Sequence, residues 1–295
     1  MDPTHDPVML SEVIELLDPA RGGLFVDCTV GLGGHGRAVL DAGATRLLGL
    51  DRDQHALEIA AQVLAPWQDR VELVHADYRE LPAVLGARGI DGVNGALADL
   101  GVSSMQFDAP GRGFSFRRDE PLDMRMDQSR GPTAAELLAD VEEGDLADVI
   151  YRYGEERFSR RIARRIVEAR RATPIATTTQ LADIVRRAQP RKGYQRIDPA
   201  TRTFQALRIW VNRELEGLDS FLTAAARLLN RGARFAVITF HSLEDRVVKH
   251  TFRALAAGEE AVRLLTKKPI VPDDRELARN PRARSAKLRA IERLA

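Results

Sequence analysis

Short apolar runs alternate with helical periodicity over the first hundred residues of the chain. The runs lie at 24–28, 47–50, 71–74 and 93–100. Between the second and third runs, residues 54–64 place Leu57, Ala60, Ala61 and Leu64 on one helical face. Strands that alternate with helices are joined by right-handed crossovers, which build a parallel sheet. The sequence therefore predicts an α/β fold.

The pattern changes after residue 108. Residues 108–130 are rich in Gly, Pro, Arg and Asp without periodicity, which is typical of a loop. From 133 to about 216 every periodic stretch is helical, and the sheet pattern resumes at 228–240 with a helix expected to end near Gly232. A helix is then expected at 243–255, and strands at 262–270 and 285–294. We expect a discontinuous α/β domain (residues 1–108 and 217–295) and an inserted loop and helical domain (residues 109–216).

Composition limits the class of protein. The 295 residues are 44% hydrophobic and 29% charged, as in ordinary globular chains. A single cysteine, Cys28, excludes an internal disulfide framework and favours a reducing compartment. No apolar run approaches the roughly 18 residues of a membrane span, so we expect no membrane partner and a cytoplasmic location.

Charge is distributed unevenly along the chain. The net charge is only +1, but residues 157–213 hold 15 lysines and arginines against three acids, a net charge of +12 that leaves −11 for the rest. Such asymmetry is typical of contact with nucleic acid, although a solvated helical surface would give the same count.

A glycine-rich loop follows the first predicted strand. Gly31, Gly33 and Gly36 fit the G-x-G-x-x-G pattern, and Asp51 lies 24 residues after Asp27, where a carboxylate can accept both ribose hydroxyls. The pattern fits a nicotinamide cofactor, S-adenosylmethionine or a turn without a ligand. The charge of Asp27 would oppose a pyrophosphate but suits the ammonium of a methionine moiety, which favours S-adenosylmethionine.

Two more strand ends carry candidate residues. Tyr78 follows the third strand, where it could pack on an adenine ring or be a core tyrosine. Asp99 ends the fourth strand, and the carboxyl ends of parallel strands line the ligand crevice of such a sheet.

Nine stretches of the chain together resemble a known family. They are residues 27–36, 51–53, 99–104, 112–116, 121–127, 153–157, 199–205, 240–246 and 280–285. In this order they are similar to the bacterial 16S ribosomal RNA (cytosine-N4)-methyltransferases, which modify a cytidine of the small subunit in the decoding region. Tyr78 stands where a phenylalanine is familiar, and Asp198 stands where a histidine is expected.

The resemblance implies a class I methyltransferase fold, with a Rossmann-like sheet and an inserted all-helical domain. It implies S-adenosylmethionine as the methyl donor and the small-subunit RNA or the subunit as the partner, with no metal. The positions that it assigns to the cofactor are Gly33, Gly34, His35, Asp51, Tyr78, Asp99 and Gln106.

The chemistry requires a proton acceptor. The cytosine amine is a poor nucleophile because its lone pair is delocalised, so a hydrogen-bond acceptor that takes its proton promotes attack. Asp99 is the leading candidate, with cofactor binding as its competing role. His241 is the other, unless it only precedes a helix that Ser242 caps, with Glu244 and Asp245 near its amino end. We expect His35 to be held near the cofactor rather than to act as a base.

A base stacked in a helix must be extruded to reach such a site. Arg160, Arg161, Arg164 and Arg165 are candidate phosphate contacts. Phe114 and Phe116, in the loop of residues 112–130, could stack on RNA or pack between domains. Two alternatives remain at this point: a nicotinamide-dependent oxidoreductase and a non-catalytic RNA-binding assembly factor.

Overall fold

The computed structural model describes residues 7–103, 106–107, 109–190, 197–258 and 260–294. The chain forms two compact units. Met1–Gly101 and Leu215–Ala295 form the first, called the sheet unit, and Val102–Glu214 form the second, called the helical unit. The expected boundaries were 108/109 and 216/217, whereas the compact units divide at 101/102 and 214/215.

The sheet unit contains a seven-stranded sheet of order β3-β2-β1-β4-β5-β7-β6. The strands are β1 (Leu24–Asp27), β2 (Arg46–Asp51), β3 (Val71–His75), β4 (Val93–Asp99), β5 (Leu229–Thr239), β6 (Val262–Leu264) and β7 (Lys287–Arg293). The first five strands pair in parallel, and β7 is antiparallel to both β5 and β6. The order reverses between β1 and β4, and the carboxyl ends of strands at such a switch point border the ligand crevice of α/β sheets. The α/β class is confirmed.

Helices cover both faces of this sheet. They are α1 (Leu10–Leu17), α2 (Gly34–Asp41), α3 (Gln54–Val63), α4 (Leu81–Gly86), α10 (Leu218–Arg227), α11 (Ser242–Ala257) and α12 (Asp274–Arg279). Successive strand residues point to opposite faces. Phe25 accordingly joins the core cluster with α1–α3, whereas Val26 joins the cluster with α4, α10 and α11.

The helical unit contains α5 (Ala134–Asp140), α6 (Glu143–Gly154), α7 (Ser159–Ala172), α8 (Thr178–Ala188) and α9 (Ala200–Asn212). Its core holds Ile162 and Ile166 of α7, which recur at helical spacing and are fully buried. The arginines between them are therefore directed to the opposite face of α7.

The loop before α5 is fixed by specific hydrogen bonds within the helical unit. The side-chain amide of Asn212 donates to the carbonyl of Met124 over 2.7 Å, and its oxygen accepts from the N–H of Met126 over 2.7 Å. Phe114 is 6% exposed, and the ring of Phe116 lies 4.8 Å from that of Phe204. Both rings are packed inside this unit, which does not favour stacking on RNA.

Two expected boundaries were wrong. The helix before β5 ends at Arg227 rather than near Gly232, which lies inside the strand with a φ of 77°. The pairing of β4 with β5 shifts register there, and glycine accepts the positive φ of such an irregularity. The strand expected at 262–270 ends at Leu264, where the regular ladder stops because the N–H groups of Leu265 and Thr266 both donate to the one carbonyl of Ala290. Ile270 makes only an isolated bridge to Leu288.

Among the described residues, no helix has both the length and the apolar character that crossing a membrane requires.

Candidate active site

Three aspartates end three adjacent strands of the sheet unit. Asp51, Asp27 and Asp99 are the last residues of β2, β1 and β4. Parallel pairing sets these carboxyl ends side by side, because Asp27 pairs with Gly49 on one side and with Leu97 on the other. A row of acids at the switch point can bind a cationic, hydroxyl-bearing ligand.

The glycine loop connects β1 to α2. Gly33 is the N-cap of α2 with a φ of 85°, and its N–H donates to the carbonyl of Val30 over 2.8 Å. A side chain at Gly33 would meet Leu64 at 3.2 Å, and one at Gly34 would meet Pro7 at 2.6 Å. Glycine is therefore needed at both positions for the loop to pack against its neighbours.

Asp51 ties this loop to β2. One carboxylate oxygen accepts a hydrogen bond from the N–H of Gly31 and the other from that of Asp53, each over 2.8 Å. Burial raises the pKa of Asp51 to about 6, and the two N–H groups oppose the shift. Each oxygen keeps a second lone pair, which fits the predicted contact with ribose hydroxyls.

Asp27 is 2% exposed. Its Oδ1 accepts from the N–H of Thr29 over 3.1 Å, whereas its buried Oδ2 has no hydrogen-bond partner among the described residues. Burial raises the pKa of Asp27 to about 7, and the charge of Asp51 adds to the shift. A buried carboxylate oxygen without a partner is costly, and an ammonium group would compensate it.

Asp99 also has a buried carboxylate oxygen without a hydrogen-bond partner among the described residues. Its N–H donates to Oγ1 of Thr29 over 2.6 Å, its Oδ2 lies 3.7 Å from Nδ1 of His35, and its buried Oδ1 has no partner among the described residues. Burial, followed by the charges of Asp27 and Glu244, raises the pKa of Asp99 well above its usual value.

His35 lies in the first turn of α2 and is 7% exposed. Its Nε2 lies 3.0 Å from the carbonyl oxygen of Val8. Since a carbonyl only accepts hydrogen bonds, Nε2 carries a hydrogen and Nδ1 is the nitrogen nearer Asp99.

Tyr78 begins a 3-10 turn after β3 and is 8% exposed. Its ring centroid lies 4.6 Å from that of Phe221 in the core of the sheet unit. This placement favours the core interpretation, and an adenine contact by Tyr78 stays a prediction. Asp77 precedes it and is held by Arg79 over 2.7 Å.

Gln106 belongs to the helical unit and is 5% exposed. Its side-chain oxygen accepts from the N–H of Ser103 over 3.0 Å, and its own N–H donates to the hydroxyl of Ser103 over 3.2 Å. These bonds hold Gln106 and Ser103 together, and a contact of Gln106 with a cofactor stays a prediction.

His241, not Ser242, is the N-cap of α11. Its Nδ1 accepts from the N–H of Glu244 over 3.4 Å, and its Nε2 lies 3.0 Å from Oε1 of the same residue. Oε2 of Glu244 in turn accepts from the N–H of Phe240 over 3.0 Å. This reciprocal arrangement resembles a capping box and favours the helix-capping interpretation of His241.

The four arginines predicted to contact RNA are all exposed on α7. Arg164 lies 3.5 Å from Glu143, and Arg165 lies 2.8 Å from Glu168. Exposed ion pairs contribute little and exchange readily, so these arginines are accessible to a polyanion.

Sequence reasoning missed two residues of this region. Glu244 was assigned only to the helix dipole, yet it is 2% exposed and its charge acts on Asp99. Thr29 joins Asp27 to Asp99 through its backbone and hydroxyl. An acid three residues after the cap was the available signal for Glu244, whereas nothing in the sequence distinguishes Thr29 from other loop threonines.

The described sheet is doubly wound, and β7 is its antiparallel strand. One acid ends β1 and another ends β2. Together these features define a class I S-adenosylmethionine-dependent methyltransferase. The residues present fit that donor, because Oδ2 of Asp27, which has no partner among the described residues, can pair with an ammonium group, and the remaining lone pairs of Asp51 can accept hydrogen bonds from ribose hydroxyls. The model of the MraW methylase family matches residues 2–294, and the chain belongs to this family. Membership decides between the two cofactors that the glycine pattern left open, in favour of S-adenosylmethionine.

Several curated relatives resemble the chain over nearly its whole length. Proteins named ribosomal RNA small subunit methyltransferase H are 50% identical in Bradyrhizobium diazoefficiens, 52% in a Cyanothece species and 50% in Geobacter sulfurreducens. The alignments cover 98%, 98% and 99% of this chain and 91%, 95% and 99% of the relatives.

Proposed function

We propose that this protein methylates the exocyclic N4 amine of a cytidine in small-subunit ribosomal RNA, near the decoding centre. The names of the relatives support the substrate class. The observation that carries the proposed chemistry is a pair of buried carboxylate oxygens that have no partner among the described residues, Oδ2 of Asp27 and Oδ1 of Asp99, at the ends of neighbouring strands.

The two carboxylates have different tasks in this proposal. S-adenosylmethionine, when bound, supplies a methyl group on a positively charged sulfur, which needs little activation as a leaving group. Asp27 holds the ammonium end of the donor, and Asp51 holds the ribose. Asp99 accepts a hydrogen bond from the cytosine amine and then its proton, and so directs the nitrogen lone pair towards the methyl carbon.

Burial makes Asp99 suitable for this task. A carboxyl group whose pKa is raised is a stronger base once ionised, and general-base catalysis improves as the pKa approaches the working pH. The positive charge of the donor stabilises that ionised form. Asp99 binds and catalyses through the same oxygen atoms, so the two roles considered for it are compatible.

His241 is the second candidate for the acceptor. Its Nδ1 accepts from the backbone of Glu244, and its Nε2 lies against the carboxylate of that residue. To act as a base the ring would have to leave the helix cap, which favours Asp99.

The helical unit supplies the RNA contact in this proposal. Arg160, Arg161, Arg164 and Arg165 project from α7 opposite its buried face, where they can neutralise phosphates. Sequence-independent phosphate contacts position a substrate, and the target cytidine must be extruded or single-stranded to reach Asp99.

Nucleoside mass spectrometry tests the proposal. Small-subunit RNA and isolated small subunits are each treated with the protein and a donor that carries an isotopically labelled methyl group, and the RNA is digested to nucleosides. We expect label in N4-methylated cytidine, and none when the Asp99→Asn variant replaces the protein at short times. Label in another nucleoside would contradict the proposed atom, and absence of label from both substrates would contradict the proposed function.

A further inference from the structure

We propose that His35 is a positioning residue that keeps Asp99 ionised: its Nδ1 takes up the proton that Asp99 receives from the substrate amine. This inference rests on the proposed function, because it concerns the fate of that proton.

The position of Val8 determines which nitrogen of His35 can take up a proton from Asp99. The carbonyl of Val8 accepts from Nε2 over 3.0 Å, so Nε2 keeps its hydrogen. Proton exchange therefore occurs at Nδ1, which lies 3.7 Å from Oδ2 of Asp99. That distance is within ion-pair range and slightly longer than a hydrogen bond.

The segment that carries this carbonyl is anchored at both ends. The ring of Pro7 lies against Gly34, where an added side chain would meet it at 2.6 Å. The N–H of Met9 donates to Oε1 of Glu276 over 2.6 Å, which fixes the other side of Val8. The orientation of the His35 ring is thus set by backbone atoms that are themselves held in place.

The charges around Asp99 create the need for this proton acceptor. Asp27 on β1 and Glu244 on α11 are the groups whose charges act on Asp99, and both are acids. Two like charges nearby, together with burial, favour the protonated form of Asp99. A carboxyl group that keeps its proton cannot act as a base, so a neutral Nδ1 of His35 is needed to take the proton from it.

The proposed step balances as follows. The bond from N4 to the methyl carbon forms while the bond from that carbon to sulfur breaks, and its electron pair stays on sulfur. Oδ1 of Asp99 takes one proton from the methylated nitrogen, which restores a neutral amine. A proton then moves from the carboxyl group to Nδ1 of His35, whose positive charge is stabilised by Asp99 and by the hydrogen bond from Nε2 to Val8. Solvent removes the proton after product release.

The pH dependence of single-turnover methyl transfer tests this role. The His35→Asn variant is compared with the wild type at saturating donor, with small subunits as substrate. Without the imidazole, Asp99 stays protonated to higher pH, so the acidic limb of the profile should shift upwards by about one unit or more, a tenfold loss below the limb. The rate should recover towards the wild-type value at high pH. His55→Asn, which changes an exposed histidine of α3, is the matched control and should leave the profile unchanged.

A uniform loss of rate at every pH would indicate a merely structural role and overturn the proposal, as would an unshifted profile. Nitrogen-15 NMR of labelled histidine gives a readout that needs no activity. We expect His35 in the wild type to carry its hydrogen on Nε2, and its titration midpoint to fall in Asp99→Asn. An unchanged midpoint in that folded variant would also overturn the proposal.

These results are separable from failure of the proposed function. If the wild type transfers no methyl group to cytidine N4, the proposed function fails whatever the NMR shows. If the wild type transfers the methyl group but His35→Asn keeps the wild-type profile, the role of His35 alone fails.

Discussion

Asp27 and Asp99 end neighbouring parallel strands, and each buries one carboxylate oxygen that has no hydrogen-bond partner among the described residues. Thr29 joins them, since its N–H donates to Asp27 and its hydroxyl accepts from the N–H of Asp99. Burial raises the pKa of both carboxyl groups, and the charges of neighbouring acids add to the shift. A cationic donor would offset both effects, which would link its binding to proton release.

Donor affinity should depend on pH through Asp27. Its pKa is raised to about 7, so below that pH the empty site holds a proton that must leave before an ion pair forms. Affinity should therefore fall as the pH drops from about 7, by up to tenfold per unit. Isothermal titration at several pH values in buffers of different ionisation enthalpy measures both the affinity and the proton release. Asp27→Asn should bind more weakly and with a smaller pH dependence than the wild type, because the proton held by Asp27 is no longer released on binding. A wild-type affinity that is constant between pH 5.5 and about 7 would exclude this role.

Asp51→Ala should weaken donor binding by about 1–3 kcal/mol, the cost of losing hydrogen bonds to a charged group. The substitution also removes the hydrogen bond that the Asp51 carboxylate accepts from the N–H of Gly31. Titration calorimetry on the folded variant measures the effect. Asp41→Ala, at the exposed end of α2, is the control and should bind like the wild type. Equal affinities in the two variants would remove Asp51 from the site.

Gly33→Ala should destabilise the protein by about 1–3 kcal/mol, because a residue with a side chain is strained at this φ of 85°. The new methyl group would also press on Leu64 at 3.2 Å. Gly89→Ala is the matched control, since Gly89 has a φ of 61° and open space around it. This substitution should lower the free energy of unfolding only through backbone strain, by about 1–2 kcal/mol. Chemical denaturation compares the two free energies of unfolding. A smaller loss of stability in Gly33→Ala than in Gly89→Ala would show that the glycine loop is not packed as described.

Replacing Arg160 and Arg164 with alanine should weaken RNA binding and leave donor affinity nearly unchanged. Both residues are exposed on α7, and each phosphate contact that is lost flattens the dependence of log affinity on log salt by about one unit. RNA affinity at several salt concentrations gives this slope. Replacing Arg21 and Arg152, which are also exposed, removes the same charge from other elements and should change the slope less. Equal slopes in the wild type and the α7 variant would mean that these arginines form only a solvated face.

The parts of the fold that follow local periodicity could be predicted from sequence. The strands β1 to β4 and the glycine loop were expected, because buried runs and turn glycines mark them directly. The register shift at Gly232 depends on how β5 pairs with β4, and the early end of β6 depends on how β6 pairs with β7, so neither could be predicted from local sequence. The side chain that caps α11 was misassigned because His241 and Ser242 are both plausible acceptors, and only the geometry distinguishes them.

The candidate site also combines features that the sequence predicts with features that only tertiary packing creates. Sequence position placed Asp51 and Asp99 at strand ends, which is what their proposed roles require. The burial of Tyr78 against Phe221 and the distance from His35 to Asp99 arise from tertiary packing, and no local pattern contains them.

The central claim is that Asp99 accepts the proton during methyl transfer, and single-turnover kinetics of Asp99→Asn at saturating donor test it most directly. The asparagine keeps the shape of the side chain but lacks the charge that accepts a proton. We expect the transfer rate to fall by about 10²–10⁴-fold, the usual contribution of a general base, and donor affinity to change much less. A variant that loses donor affinity but transfers the methyl group at the wild-type rate once saturated would contradict the claim, and would make Asp99 a cofactor ligand only.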